Sequence, residues 1–338
     1  MILYSPRSVS RLPEYGIHVP AMPGRAERIL AELRKSKVIG DLFCGRLVED
    51  ENTELSRADL LRAHTDAYVS RIFAPDPTPI VEAAFELRSP DGSTNRFTPK
   101  TATRSLADLR DNRIANAAGT YRCGTIALDT GFCFYLGGGS HHAHPAFGHG
   151  FCIINDAAVA VRRLQAEGQI RSAWIIDVDA HKGDGTAAIT ERDPSITTLS
   201  VHMAHGWPLD RPEYLPNGER HPSFIPSDID VPIASGDEKS YCDLLAKALE
   251  HLTAFSFPDF AVVLLGADPY EYDELPSTAP LKLSIGQLAE RDAMIFDFLT
   301  SRNIPQAHLM AGGYGERAWE PYPPFLELAF AASYDATT

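Results

Sequence analysis

The chain has 338 residues, 44% of them hydrophobic, which is ample for a sizeable core in one large α/β domain or two ordinary ones. Its formal net charge of -14 argues against a nucleic-acid backbone as the main partner and favours cationic ligands or basic peptide tails. Cys44, Cys123, Cys133, Cys152 and Cys242 are odd in number and form no C-x-x-C pair, so neither a disulfide framework nor a zinc knuckle is indicated. A reducing compartment fits these cysteines. With no leader pattern and no bilayer-length apolar run, a soluble cytoplasmic protein without membrane contact is expected.

In chain order, Ile2-Leu3-Tyr4 has the character of an edge strand, and a Pro/Gly-rich turn follows through Pro20 and Pro23. The spacing of Ile29, Leu30 and Leu33 predicts a helix over 24–37, and a second is expected over 54–72. Residues 75–100 are rich in Pro, Ser, Asp and Asn without a clear period, and are expected to form a surface excursion or rim loop. Helical spacing resumes over 102–127, where Ala115, Ala117, Ala118 and Gly119 would let another element approach closely. Strands are expected at 131–136, 197–202, 260–267 and 307–310. Asn155 or Asp156 would cap a helix ending at Gly168, and further helices are expected at 238–255 and 285–301, the latter opened by a Ser284…Gln287 capping box. The alternation of strand and helix resembles a parallel βαβ layout whose functional groups gather at the carboxyl ends of the strands. No internal repeat appears, so a single domain over residues 1–338 is the simpler reading.

The most informative stretch runs from Trp174 to Thr186, a buried-strand sequence that ends in Asp177, Asp179 and His181 before Gly183 and Gly185 allow a sharp turn. If extended geometry persists, Asp179 and His181 share a face and can grip one cation. A carboxylate and an imidazole suit zinc, at about 2.0–2.2 Å per bond, whereas a Rossmann-type strand would use its terminal acid on a helix cap or a ribose. Upstream, Gly137-Gly138-Gly139 precedes His141-His142, adjacent imidazoles able to exchange protons near neutral pH. Asp268 ends a third apolar strand, and Gly312-Gly313-Tyr314 follows a fourth. Four strand ends thus deliver reactive residues to one rim.

In these motifs, Gly-Gly-Gly-Ser-His141-His142-Ala, Gly150-Phe151-Cys152, Asp177-Val-Asp179-Ala-His181-Lys-Gly-Asp184-Gly, Gly-Ala-Asp268 and Gly-Gly-Tyr314, the chain resembles the zinc-dependent histone deacetylase family, within the arginase/deacetylase fold. The resemblance runs from about Pro23 to Tyr314 and looks most like the smaller class IV and bacterial members. It implies one zinc held by Asp179, His181 and Asp268. It also implies His142 as general base and then acid, oriented by Asp184, His141 as an electrostatic partner, oriented by Asp177, and Tyr314 as an oxyanion donor. Phe151 and Trp207, with Gly150 and Leu275, match the walls of a narrow acyl-lysine tunnel, and Arg25 an arginine near the product acetate. Cys152 is read as packing. A structural potassium ion is implied beside the zinc, at Asp177, Asp179, His181, Ser200 and Val201.

Departures from the family pattern are also legible. Lys182 replaces the usual His or Gln, its charge taken to point outwards; Trp207 is bulkier than the usual Phe or Tyr; and Leu275 stands where acetylpolyamine-selective members carry Glu, with Glu274 beside it. The expected activity is removal of acetyl or another small acyl group from lysine side chains of proteins or peptides. Alternatives are an acetylpolyamine or other small-molecule deacylase, a binuclear manganese ureohydrolase, which Tyr270 disfavours, and a silent acyl-lysine binding module.

Overall fold

The computed structural model describes residues 1–335 apart from 10, 38, 41–42 and 90, and excludes the side chains of 44 and 332–335. Its strands are β1 (Ile2–Tyr4), β2 (Leu47–Glu49), β3 (Phe132–Tyr135), β4 (Ala173–Asp177), β5 (Ile196–Met203), β6 (Ile229–Ile233), β7 (Phe260–Leu264) and β8 (Gln306–Leu309). They form one all-parallel sheet in the order β2-β1-β3-β8-β7-β4-β5-β6. The helices are α1 (Arg25–Leu33), α2 (Arg57–Leu60), α3 (Asp66–Ile72), α4 (Thr78–Ala84), α5 (Leu106–Thr130), α6 (Asp156–Ala166), α7 (Asp184–Thr190), α8 (Tyr241–Leu252), α9 (Ile285–Thr300) and α10 (Tyr322–Asp335).

Parallel strands are covered on both faces, and this sheet shows it residue by residue. Ile175, Val262 and Leu264 pack with Leu164 and Cys123 under α5 and α6, whereas Trp174, Ile176 and Val263 pack on the other face with residues of α8, α9 and α10. Neighbouring residues of one strand thus enter opposite cores, and a one-residue slip would exchange them. The expected small-residue stripe on α5 holds: Gly119 leaves room for the Tyr135 ring, which a Cβ there would strike. The Asn155 cap on α6 and the Ser284/Gln287 capping box on α9 form as read from sequence.

Three expectations change. Ile2–Tyr4 is interior, because the short β2 pairs outside it through Ile2↔Leu47. The 54–72 helix is broken into α2 and α3, since Thr65 caps α3 and His64 turns inward between them. There the His64 ring accepts the Asn155 N–H (3.1 Å) at Nε2 and donates from Nδ1 to the His144 carbonyl (2.9 Å). The 75–100 excursion contains α4 and a short antiparallel bridge between Arg88 and Thr94.

The ends of β4 and β7 are tied together from behind. The Arg291 guanidinium, fully buried beside Asp292 (2.7 Å), donates to the carbonyls of Val178 and Gly266, both at 2.9 Å. The Val178 carbonyl lies one residue before Asp179 and the Gly266 carbonyl two before Asp268, the acids predicted to hold a metal. Arg291→Met leaves Asp292 as an uncompensated buried charge and is expected to cost about 3–5 kcal/mol, read as a lower denaturation midpoint.

Candidate active site

Beyond β4 the chain leaves the extended conformation, so Asp179 and His181 do not share a strand face as expected. They converge through backbone hydrogen bonds. The His181 N–H donates to Asp179 Oδ1 (3.1 Å), the Gly312 N–H to Asp179 Oδ2 (3.1 Å), and the Ala180 N–H to Asp268 Oδ1 (2.9 Å). His181 Nδ1 consequently faces both carboxylates, 3.2 Å from Asp179 Oδ1 and 2.9 Å from Asp268 Oδ2. Its Nε2 is fixed by Ser277 Oγ at 3.0 Å, an orienting contact of the kind that sets a ligand's tautomer.

This trio fits a cation. One ligand atom from each of Asp179, His181 and Asp268 lies within 4.8 Å of the others, all buried. Burial and the charge of Asp179 push the Asp268 carboxyl up to about 7, a repulsion that an ion between them would relieve. Gly266 keeps the approach open, since a Cβ there would sit 2.8 Å from Asp268 Oδ1. Two oxygens and one nitrogen suit zinc and leave a coordination position free.

The paired histidines sit beside it. His141 Nδ1 donates to Asp177 Oδ2 (2.6 Å) and His142 Nδ1 to Asp184 Oδ1 (2.8 Å), both deeply buried. Burial opposes charge on His141, but Asp177 and Asp179 outweigh it and raise its pKa to about 10. Burial and charged His141 instead push His142 well below its ordinary value, against the pull of Asp184. Two adjacent imidazoles are thereby driven apart, one cationic and one neutral, which is how sites separate electrostatic from basic roles.

Around them, Tyr314 lies half-buried, its N–H held by Asp273 Oδ2 (2.7 Å). Burial and the charges of Asp268 and Asp179 push its phenol well above the usual range, so the hydroxyl stays a donor. An inner cavity of about 200 Å³ reaches His141, His142, Asp179, His181 and Arg25, and an outer one of about 490 Å³ opens between Phe151, Trp207 and Leu275. Gly150 lines both; a Cβ there would strike Trp207 and lie 2.6 Å from His142 Cδ2. The Trp207 ring stands 4.5 Å from that of His142 and 5.4 Å from that of His181. Arg25, half-buried, donates to the carbonyls of Ala311, Gly312 and Gly313, fixing the loop that carries Tyr314. Burial lifts the Cys152 thiol up to about 12, consistent with packing. The described cysteines, Cys123, Cys133, Cys152 and Cys242, are free; the Cys44 side chain lies outside the description.

Lys182 departs from its expected orientation. Its side chain is only 6% exposed, and Nζ reaches Asp230 Oδ2 on β6 (3.1 Å), so the cation beside the ligand loop is neutralised inside the protein. Sequence reading also missed His144 and His149, whose Nε2 atoms each lie 3.1 Å from Asp184 Oδ2, giving that one carboxylate three imidazoles. The signal was present in the His-rich 141–149 stretch, but not its target.

A parallel sheet that presents an open carboxylate and imidazole set, paired histidines and a phenol at its carboxyl edge defines a class of hydrolases acting on a polarised carbonyl. Residues 19–321 match the model of the histone deacetylase domain, and the chain belongs to that family, whose members hydrolyse amides. A probable deacetylase of Archaeoglobus fulgidus is 27% identical over 94% of this chain and 83% of its own. The acetoin utilization protein AcuC of Bacillus subtilis is 32% identical over 75% and 63%. The crystal structure of the HDA15 HD domain superposes with a TM-score of 0.69 at 20% identity, covering 98% of this chain and 88% of that one, and so shares the deacetylase fold.

Proposed function

We propose that the chain is one catalytic domain that removes acetyl or another small acyl group from lysine side chains of proteins or peptides, using one zinc. The carrying observation is the pair His141–Asp177 (2.6 Å) and His142–Asp184 (2.8 Å) set beside the Asp179, His181 and Asp268 trio. That trio would hold the zinc, which when bound supplies a Lewis acid for the acyl carbonyl and makes water a stronger acid. His142, its Nδ1–H committed to Asp184, accepts a proton at Nε2 from the attacking water and returns it to the departing amine. Cationic His141, anchored by Asp177, offsets the negative charge that develops nearby. The Tyr314 hydroxyl donates to the carbonyl oxygen as it becomes an oxyanion. Phe151 and Trp207 enclose the apolar lysine stem, Leu275 and Gly150 complete the passage, and Arg25 lies at the inner end where the acyl group is released. A potassium ion is proposed where Asp177 and Ser200, register partners on β4 and β5, adjoin Val201 and the backbone of Asp179 and His181.

Acetylpolyamines fit less well: Leu275 is buried, and Glu274 points to the Glu316 N–H (3.2 Å) rather than into the outer cavity. A silent binding module would not need a carboxylate-held imidazole and a phenol lining one cavity with the metal trio's Asp179 and His181. The test is hydrolysis of acyl-lysine peptides of increasing acyl length, alongside N-acetylated polyamines, with zinc-loaded and chelator-stripped protein. Peptide turnover that disappears on stripping and returns with zinc is expected. Turnover of polyamines alone, or none with zinc bound, would overturn the reading.

A further inference from the structure

The mouth of the outer cavity carries a group that this chemistry leaves unused. Arg96 projects from the 85–97 segment, with its guanidinium carbon 5.9 Å from the centroid of the Phe151 ring. Arg88, eight residues earlier, is paired with Glu82 at 2.9 Å. Arg96 has no carboxylate at ion-pair distance among the described residues, in a chain of net charge -14. The backbone holds it there at some cost. Of the six described non-glycine residues with left-handed φ, Glu86 (54°), Arg96 (50°) and Phe151 (66°) line the outer cavity and Ala311 (49°) the inner one. Conformations of that kind persist where surrounding structure fixes them, often around a ligand.

We propose that Arg96 reads the α-carboxylate of an Nε-acyl-lysine, so that the preferred substrate has that carboxylate free. The proposal rests on the deacylase reading. With the acyl group at the metal trio, the apolar stem extends outward by about 6 Å by standard bond lengths and passes Phe151. The α-carbon then emerges at the mouth, where Arg96 lines the outer cavity but not the inner one. A planar guanidinium resting on an aromatic ring is suited to bidentate capture of a carboxylate. A carboxylate on the acyl group is the poorer match, because it would lie beside Asp179 and Asp268, where Arg25 is occupied by three carbonyls. Glu86 lines the same mouth.

Three substrates test this with the zinc-loaded protein: Nε-acetyl-lysine, its α-carboxamide, and the Nα-acetylated free acid, with kcat and KM measured separately. The free carboxylate is expected to lower KM about tenfold relative to the carboxamide at similar kcat, the scale of one charge-assisted contact. R96Q should bring that ratio to about one, and R96K should keep part of it. Preference retained by the Nα-acetylated acid points to the carboxyl-terminal residue of a peptide, and preference lost on capping points to the free amino acid; either supports the carboxylate reading. Equal KM for acid and carboxamide, or an unchanged ratio in R96Q, overturns the proposal while leaving the deacylase standing. No turnover of the three while acetyl-lysine peptides are still hydrolysed overturns the proposal alone, and no turnover of those peptides either overturns both.

Discussion

Replacing His142 with alanine is expected to lower kcat by about 10²–10⁴, or about 2.7–5.5 kcal/mol of barrier, at neutral pH while zinc content stays at one per chain. The argument is geometric first. The His142 ring centroid is 5.7 Å from that of His181, yet its Nδ1 is committed to Asp184 at 2.8 Å, and Nε2 is left to exchange protons. Electrostatics then selects its state, since burial and cationic His141 keep His142 neutral and able to accept. Loss of metal in the purified variant, read by elemental analysis, would make His142 a ligand instead. Unchanged turnover would move the base to another residue.

How much of this site could be read in advance follows from how each contact is encoded. Asp177, Asp179 and His181 follow one apolar run and Asp268 another, and strand ends in a parallel sheet deliver side chains to one edge, so their meeting was legible. The two histidines were legible for the same reason. Their opposite charging was not, because it depends on burial and on Asp177 and Asp184, 36 and 42 residues away. Lys182 looked outward-facing because its partner, Asp230, lies on β6, a five-residue edge strand containing proline that shows little period of its own. β2, with three residues, leaves even less trace, so the sequence alone gives β1 the character of an edge. The break between α2 and α3 escaped because apolar spacing continues through it; only the capping role of Thr65 and the inward contacts of His64 fix it. Ser277, which orients His181, and Arg96, at the mouth, sit in loops whose shape no periodicity describes.

Tyr314→Phe removes one hydroxyl, and the expected result is a fall in kcat of about 10²–10³, some 2.7–4 kcal/mol, with little change in substrate affinity or zinc content. The asymmetry between kcat and KM follows from where the hydroxyl acts. The carbonyl oxygen gains charge only as the tetrahedral species forms, so a donor aimed there is worth most in the transition state. The phenol is kept protonated by burial and by the negative charges of Asp268 and Asp179, and a neutral donor is what that step needs. Phenylalanine preserves the packing against Phe151, whose ring centroid is 6.1 Å away, and the Tyr314 N–H to Asp273 contact belongs to the backbone and survives. The variant therefore tests the hydroxyl alone. A rise in KM at constant kcat would make Tyr314 a ground-state binding group, and full activity would take it out of the chemistry, leaving His141 and the metal to carry the oxyanion.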